Sequence, residues 1–515
     1  MVRREGAPAA RRCPLTSPES EVNPVAFASP TRLARAIAPR AAAHPGRSGV
    51  YPLLDARDAF AARYLLAQAA ERTLDVQYYI WRQDMSGTLM FEALHAAAER
   101  GVRVRLLLDD MHTAGLDRAL ATLNAHPNIE IRLFNPFRIR TLRWLGYLTD
   151  FSRLNRRMHN KSFTVDGEAT IVGGRNIGDE YFDAAEGAAF VDLDVLAVGP
   201  VVGEVARDFE RYWTSPSACP LERLLPPADS RCLDRLAATA SLIERDPAAA
   251  AYVRALHESP FVRELLDGRL PLEWAPTHMV SDDPAKGRGR GTSRAFLPHK
   301  LRTIIGEPRS TLDLVSAYFV PTAAGVETLA ALGRRGVAIR ILTNSLEATD
   351  VAVVHAGYAK RRKALLAAGI RLYELRRQPG PRRARPRRRE ARRLAAGWGS
   401  AGRFRQSASS TSSLHAKTFS VDGRRVFIGS FNFDPRSAEL NTEMGFVIES
   451  EALAQELKEV LDEHIPLDAY EVRLSDRGRL YWLEGSVHHA REPGTRWWRR
   501  AVVRLLALLP IEWLL

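Results

Sequence analysis

"MHNKSFTVDG" (158–167) and "LHAKTFSVDG" (414–423) decide how this chain is read. Each spells His-x-Lys, four residues and Asp-Gly, and the two histidines stand 256 residues apart. In each copy a short run of β-formers, "KSFTV" or "KTFSV", meets Asp-Gly and then a second run, "EATIVGG" or "RRVFIGS". Asp-Gly between two such runs signals a hairpin, because both residues tolerate the positive φ that the tight turn requires. His and Lys two apart on a strand project from one face. Each histidine is followed at +17 by an asparagine, Asn176 in "GGRN" and Asn432 in "GSFN".

The duplication extends outward. "TLDVQYYIWRQDMSGTLMFEALHAAAERGVRVRLLLDD" (73–110) parallels "TLDLVSAYFVPTAAGVETLAALGRRGVAIRILTNS" (311–345). Each copy reads as strand, loop, amphipathic helix ending at Arg-Gly, and second strand. Strands alternating with helices predict an α/β fold of two pseudo-symmetric halves, each a mostly parallel sheet flanked by helices. The expected organisation is a weakly ordered leader (1–48), an N-terminal half (49–215), a helical connector (216–269), a C-terminal half (270–470) and a tail (471–515).

Charge is unevenly placed. The chain of 515 residues carries +14, but twelve Arg and one Glu within 376–406 account for +11 of it. A generally basic nucleic-acid-binding surface is therefore not expected. The Pro/Gly/Arg content of that stretch reads as an exposed loop, either a solvated insertion or a segment drawn to anionic lipid or nucleic acid. Cys13, Cys219 and Cys232 have no metal-ligand spacing and suggest a reducing compartment. No apolar run is long enough to cross a bilayer, and the N-terminus has no signal-peptide core. "TRWWRRAVVRLLALLPIEWLL" (495–515) mixes Trp, Arg and Leu as a membrane-interface segment does, or as a helix docked on the protein's own core would. "FNPFRIRTLRWLGYLTDF" (134–151) has the same composition and could equally be a buried connection.

Two copies of His, Lys and Asn suit phosphodiester chemistry. Lys ammonium and Asn amide groups donate to non-bridging oxygens, and imidazole serves as nucleophile or as acid and base. One site built from both halves would place a histidine on each side of phosphorus: one attacks, and the other protonates the leaving alcohol and then deprotonates the acceptor. This needs no metal or cofactor, and the chain has no Walker loop or HExxH. Carboxylates that could orient the histidines are Glu443, at +28 from His415 and expected to serve it, and Asp192 or Asp194 in "FVDLDVLAVG" for His159. Asp166 and Asp422 complete each motif but also begin its turn, so a catalytic role and a turn-forming one are both open. Glu180, Arg436, His112 and the pair His355/Tyr358 could line the site or simply pack.

The paired HxKxxxxD motifs, with "LDVQYYIW", "VGGRNIGDEYF" and "IGSFNFDPRSAELNTEMGFVIES", resemble the phospholipase D superfamily over about residues 50–470. Within it the chain looks most like bacterial cardiolipin synthases of the C type. The resemblance implies His159, Lys161, Asp166, His415, Lys417 and Asp422 as catalytic residues, with His159 the nucleophile and His415 the acid–base. It implies Asn176 and Asn432 on the phosphate, and it favours Asp192 over Asp194. The implied reaction is phosphatidyl transfer from phosphatidylglycerol or phosphatidylethanolamine to phosphatidylglycerol through a phosphohistidine. Hydrolysis of a phospholipid or nucleic acid is the alternative. The implied partners are phospholipids and a membrane surface rather than a specific nucleic acid. The implied location is peripheral, on the cytoplasmic side of a bacterial inner membrane.

Overall fold

The computed structural model describes residues 29–184, 188–228, 252–254, 258–377, 411–509 and 512. Both copies of the repeat fold as read. Thr73–Tyr78, helix Met85–Glu99 and Arg103–Asp109 form a parallel unit, as do Thr311–Ser316, helix Ala323–Arg334 and Ala338–Asn344. Asp84 and Thr322 cap the two helices by accepting from Gly87 N (3.0 Å) and Gly325 N (3.2 Å). The glycines of both "RG" endings have left-handed φ, 91° at Gly101 and 89° at Gly336, which ends each helix and turns the chain into the next strand. A third parallel strand follows in each half, Ile129–Phe134 and Arg371–Leu375.

Beyond these three strands the sheets are mixed rather than mostly parallel. The first has nine strands, in the order Glu273–Ala275, Ser48–Leu53, Asp194–Val198, Ala169–Gly173, Ser162–Val165, Thr73–Tyr78, Arg103–Asp109, Ile129–Phe134 and Ala218–Pro220. The second has ten and repeats the plan from Thr277–Ser281 through Met444–Glu449, Arg425–Gly429, Lys417–Val421 and Thr311–Ser316 to Arg371–Leu375. The antiparallel part follows from the motif hairpins, since a tight turn can join only antiparallel neighbours. Asp166 and Gly167 have φ of 54° and 70°, Asp422 and Gly423 of 53° and 61°. Glu168 N closes its turn onto Val165 O (2.9 Å) and Arg424 N onto Val421 O (3.1 Å).

The strand residues facing the helices form one apolar core per half, around Leu74, Val104 and Ile131 in the first and Leu314, Ile341 and Leu372 in the second. A third layer joins the halves: Val50, Val172 and Val195 pack with Val426, Ile428 and Phe446. Each fully buried aliphatic side chain there contributes about 1.5–3 kcal/mol relative to exposure, which holds the halves as one body. Residues Ala188–Val191 and Thr411–Leu414 also pair in parallel across the halves, directly before His415.

Three stretches differ from the sequence reading. Within the leader, Arg32–Ala42 is a helix with Leu33 and Ile37 in the first core; residues 1–28 lie outside the described residues. The connector begins with an edge strand, Ala218–Pro220, and helix Phe261–Leu266 also joins the first core. The tail starts as sheet: Ala469–Leu474, Leu480–Glu484 and Val487–His489 extend the second sheet, with Val472 and Trp482 on its core side. Of the Arg-rich stretch only Arg376 and Arg377 are described.

Candidate active site

The backbone brings the motifs together by a reciprocal exchange between the halves. His159 N donates to Thr442 O (2.9 Å), and His415 N donates to Val191 O (2.8 Å). Each acceptor directly precedes a carboxylate residue, Glu443 or Asp192. Behind the histidines, the strand ends Asp109 and Asn344 act alike. Asp109 Oδ2 accepts from Met158 N (2.8 Å), and Asn344 Oδ1 accepts from Leu414 N (2.9 Å).

The side chains cross over in the same way. His159 Nδ1 is 2.8 Å from Glu443 Oε2, and His415 Nδ1 is 2.5 Å from Asp192 Oδ2. The within-half pairing expected from sequence, Glu443 with His415 and Asp192 with His159, is therefore corrected. The physical reason is the backbone pairing between the halves, Ala188–Val191 with Thr411–Leu414 and Met158 with Thr442, which delivers each carboxylate to the opposite motif. Asp192 lies in the break between Ala188–Val191 and Asp194–Val198, whereas Asp194 is bound to Arg63 (2.8 Å) and Arg175 (3.3 Å) in the first core. Bonding at Nδ1 orients both rings with Nε2 on the side away from the carboxylate.

The lysines and asparagines close the site. Lys161 Nζ donates to His159 O (2.5 Å); Lys417 Nζ donates to His415 O and lies 2.9 Å from His415 Nδ1. Asn176 Oδ1 accepts from Ile80 N (3.1 Å), leaving its Nδ2 buried without an acceptor among the described residues. Asn432 Oδ1 is likewise buried without a partner among the described residues. Such clustering of unpaired polar atoms is costly in a core and is the mark of a ligand site.

Burial dominates the electrostatics. Burial, then Lys161 and Lys417, hold the His159 imidazole well below its ordinary value. Burial and Lys417 push His415 down to about 4, against Asp192. Both rings are therefore neutral near pH 7. Burial also lowers Lys161 to about 7 and Lys417 to about 8, and raises Glu443 to about 7. Burial opposes charge on Asp192 as well, but Lys417 and His415 outweigh it and keep this carboxylate below its usual range. The two clamps thus differ: Asp192 is firmly ionised, and Glu443 is poised to take a proton.

The glycine and serine after each hairpin have a clear purpose. A Cβ on Gly174 would lie 2.1 Å from Asp192 Oδ1, so only glycine lets that carboxylate reach across. At the corresponding place Ser430 Oγ donates to Glu443 Oε2 (2.5 Å). Gly174→Ala is expected to displace Asp192 and lower the activity of the site about 10–100-fold. An activity assay beside an unchanged far-ultraviolet circular dichroism spectrum checks this.

Asp166 and Asp422 are not in this site, which corrects the catalytic reading of them. Asp166 Oδ1 accepts from the backbone N of Arg72 (2.8 Å) and Thr73 (3.0 Å), and Asp422 Oδ1 from that of Ser310 (2.7 Å) and Thr311 (3.1 Å). They therefore hold the starts of the strands whose far ends lead to Ile80, bonded to Asn176, and to Ser316, whose hydroxyl accepts from Phe433 N next to Asn432. His355 and Tyr358 belong to a buried network with Glu492 (3.2 Å from His355) and Glu374 (3.1 Å from Tyr358). Glu180 pairs with Arg82 (3.2 Å), and Arg436 holds Asn155 Oδ1 (2.6 Å), just before the first motif. His112 lies near the site, its ring 4.8 Å from that of Tyr79. Tyr79 and Tyr181, missed in the sequence, set ring edges against His159 (4.9 Å) and His415 (5.2 Å). Among the described residues no group of His, Cys, Asp and Glu could hold a metal ion.

Known proteins give this geometry its context. The family model described as "Cardiolipin synthase, PLD-like domain" matches residues 65–213 and 301–465. Cardiolipin synthase C of Escherichia coli K12 is 54% identical over 491 residues, covering 94% of this chain and all of that one. Cardiolipin synthase B of the same strain is 24% identical over 79% of this chain and 78% of its own. The crystal structure of phosphatidylserine synthase from Haemophilus influenzae Rd KW20 superposes with a TM-score of 0.57 at 12% identity, covering 93% of this chain and 99% of that one, a likeness of fold. With both repeats inside the matched residues and over half of the sequence identical across nearly its full length, the chain belongs to the cardiolipin synthase family of phospholipase D-like proteins.

Proposed function

We propose that this protein is a cardiolipin synthase that moves a phosphatidyl group through a covalent intermediate on His159. The observation carrying the mechanism is the pair of histidines, each clamped at Nδ1 by a carboxylate of the opposite half. In the first step His159 Nε2 attacks phosphorus and the bond to the head-group oxygen breaks. His415, charged beside the ionised Asp192 once the phosphate anion is bound, gives its Nε2 proton to the departing oxygen. The Nδ1 proton of His159 passes to Glu443, whose raised pKa suits it for that load. In the second step neutral His415 takes the proton of the terminal hydroxyl of phosphatidylglycerol. That oxygen attacks phosphorus, the P–N bond breaks, and Glu443 returns its proton.

Lys161, Lys417, Asn176 and Asn432 face the charge that develops on the non-bridging oxygens. Asp192 is the group that favours imidazolium at His415, and this supports His159 as the nucleophile. The donor is phosphatidylethanolamine or phosphatidylglycerol, the acceptor phosphatidylglycerol, and the working surface the cytoplasmic face of a bacterial inner membrane, bound peripherally. Among the described residues no helix is long and apolar enough to cross a membrane.

Expression in a bacterial host lacking cardiolipin, fed donors labelled in either head group or phosphate, tests this reading. Cardiolipin should appear with release of one labelled alcohol. Phosphatidic acid alone would identify a hydrolase, and no lipid product would remove the lipid reading.

A further inference from the structure

We propose that two exposed helical faces, one from each half, seat this protein on a bilayer with the site opening between them; this rests on the phospholipid reading above. The first is helix Arg143–Leu154, which ends just before the first motif. Trp144 and Leu148 fall at i and i+4 on one side of its first segment, and Phe151 follows a kink at Asp150. They are exposed, Trp144 by 61% and Leu148 by 75%, with Leu142 exposed beside them. The second is helix Trp497–Ala507. Its Val503 and Leu506 pack on Leu346 and Ala356, while Trp497, Trp498, Leu505 and Leu508 are turned to solvent. An apolar face left outside beside one that packs inside is not what a helix serving only the core shows.

The fold puts both helices at the site's end of the molecule. Asp109 and Asn344, which hold the residues before His159 and His415, end equivalent strands of the two sheets. The first helix lies on the segment after Asp109: Arg143 donates to Asp110 O (2.8 Å), and the Tyr147 hydroxyl meets Met111 Sδ (3.0 Å). The C-terminal helix lies on the segment after Asn344, where Arg499 donates to Thr349 O (3.0 Å). Asp350 in that segment accepts from Tyr318 (2.8 Å) and acts on the charge of Lys417. The pseudo-symmetry of the halves thus places one apolar face beside each histidine.

The occupant is a lipid surface rather than a protein. Arg138, Arg496 and Arg504 are exposed beside the Trp and Leu side chains, the mixture that suits anionic head groups over acyl chains. Seating both faces lets a head group enter the site while its acyl chains stay in the membrane.

The test uses the full chain and vesicles of phosphatidylethanolamine and phosphatidylglycerol. One variant combines Trp144→Ser, Leu148→Ser and Phe151→Ser; the other combines Trp498→Ser, Leu505→Ser and Leu508→Ser. Each should reduce vesicle binding in flotation at least 10-fold and cardiolipin formation on vesicles in parallel. Formation from the same lipids in detergent micelles should stay within twofold, which also shows that the variants fold. Unchanged flotation of either variant would overturn the proposal. So would equal loss in micelles with an unchanged melting temperature, or apolar faces covered by a second copy in a dimer that ignores vesicles. If wild type floats but makes no cardiolipin in either format, the functional reading fails and the docking result stands apart from it.

Discussion

His159→Ala and His415→Ala are each expected to lower cardiolipin formation about 10⁴-fold or more, because nucleophile and acid–base work as one unit. The two losses should nevertheless separate with a phosphatidyl donor whose leaving group is p-nitrophenolate, which departs without a proton. His415→Ala should then regain a burst of nitrophenolate, one per site, and stall, since nothing deprotonates the acceptor. His159→Ala should release none above background. A burst from His159→Ala and not from His415→Ala would reverse the assignment. Residual synthesis near wild type in either variant would remove the two-histidine mechanism.

The second large effect concerns the carboxylates. Glu443→Gln and Asp192→Asn should each cost about 10²–10⁴-fold, since an amide misorients the ring and cannot stabilise or store its proton. The crossed pairing gives them distinct signatures. Glu443 holds His159 at 2.8 Å, so Glu443→Gln should lose the nitrophenolate burst as a nucleophile variant does. Asp192 holds His415 at 2.5 Å, so Asp192→Asn should keep the burst and lose turnover. With pairing inside each half the two behaviours would be exchanged. Stopped-flow absorbance on the purified variants distinguishes them.

The pairing also marks where sequence reasoning stopped. Strand alternation and Asp-Gly turns are local signals, and they placed the hairpins and the parallel units, whereas His159, Lys161 and His415 stand just before the strands expected to carry them. The partner of each histidine depends on how the two sheets pack across the layer around Val172 and Ile428, and no local pattern carries that. Asp192 and Asp194 looked equivalent by periodicity. The chain breaks its strand between them, sending one to His415 and the other to Arg63. The Asp of each motif was ambiguous because one residue can serve a turn and a charge, and its bonds to Arg72 N or Ser310 N show the turn and strand it holds. Tyr79 stands in a largely apolar run and Tyr181 between acidic residues in "GDEYFD", and neither carried a signal of its own. Ser430 did carry one: Gly-Gly in the first motif stands against Gly-Ser in the second. The apolar faces of 143–154 and 497–507 were legible as composition, while their exposure at one end of the molecule required the fold.

Identification of the covalent intermediate tests the central claim most directly. His415→Ala, mixed with the nitrophenyl donor and denatured at alkaline pH to preserve a P–N bond, would be digested and its peptides weighed. The account predicts one phosphatidyl group per chain, on the peptide carrying His159, and none in the His159→Ala, His415→Ala double variant. A phosphatidyl group elsewhere, or none while nitrophenolate is still released, would contradict it.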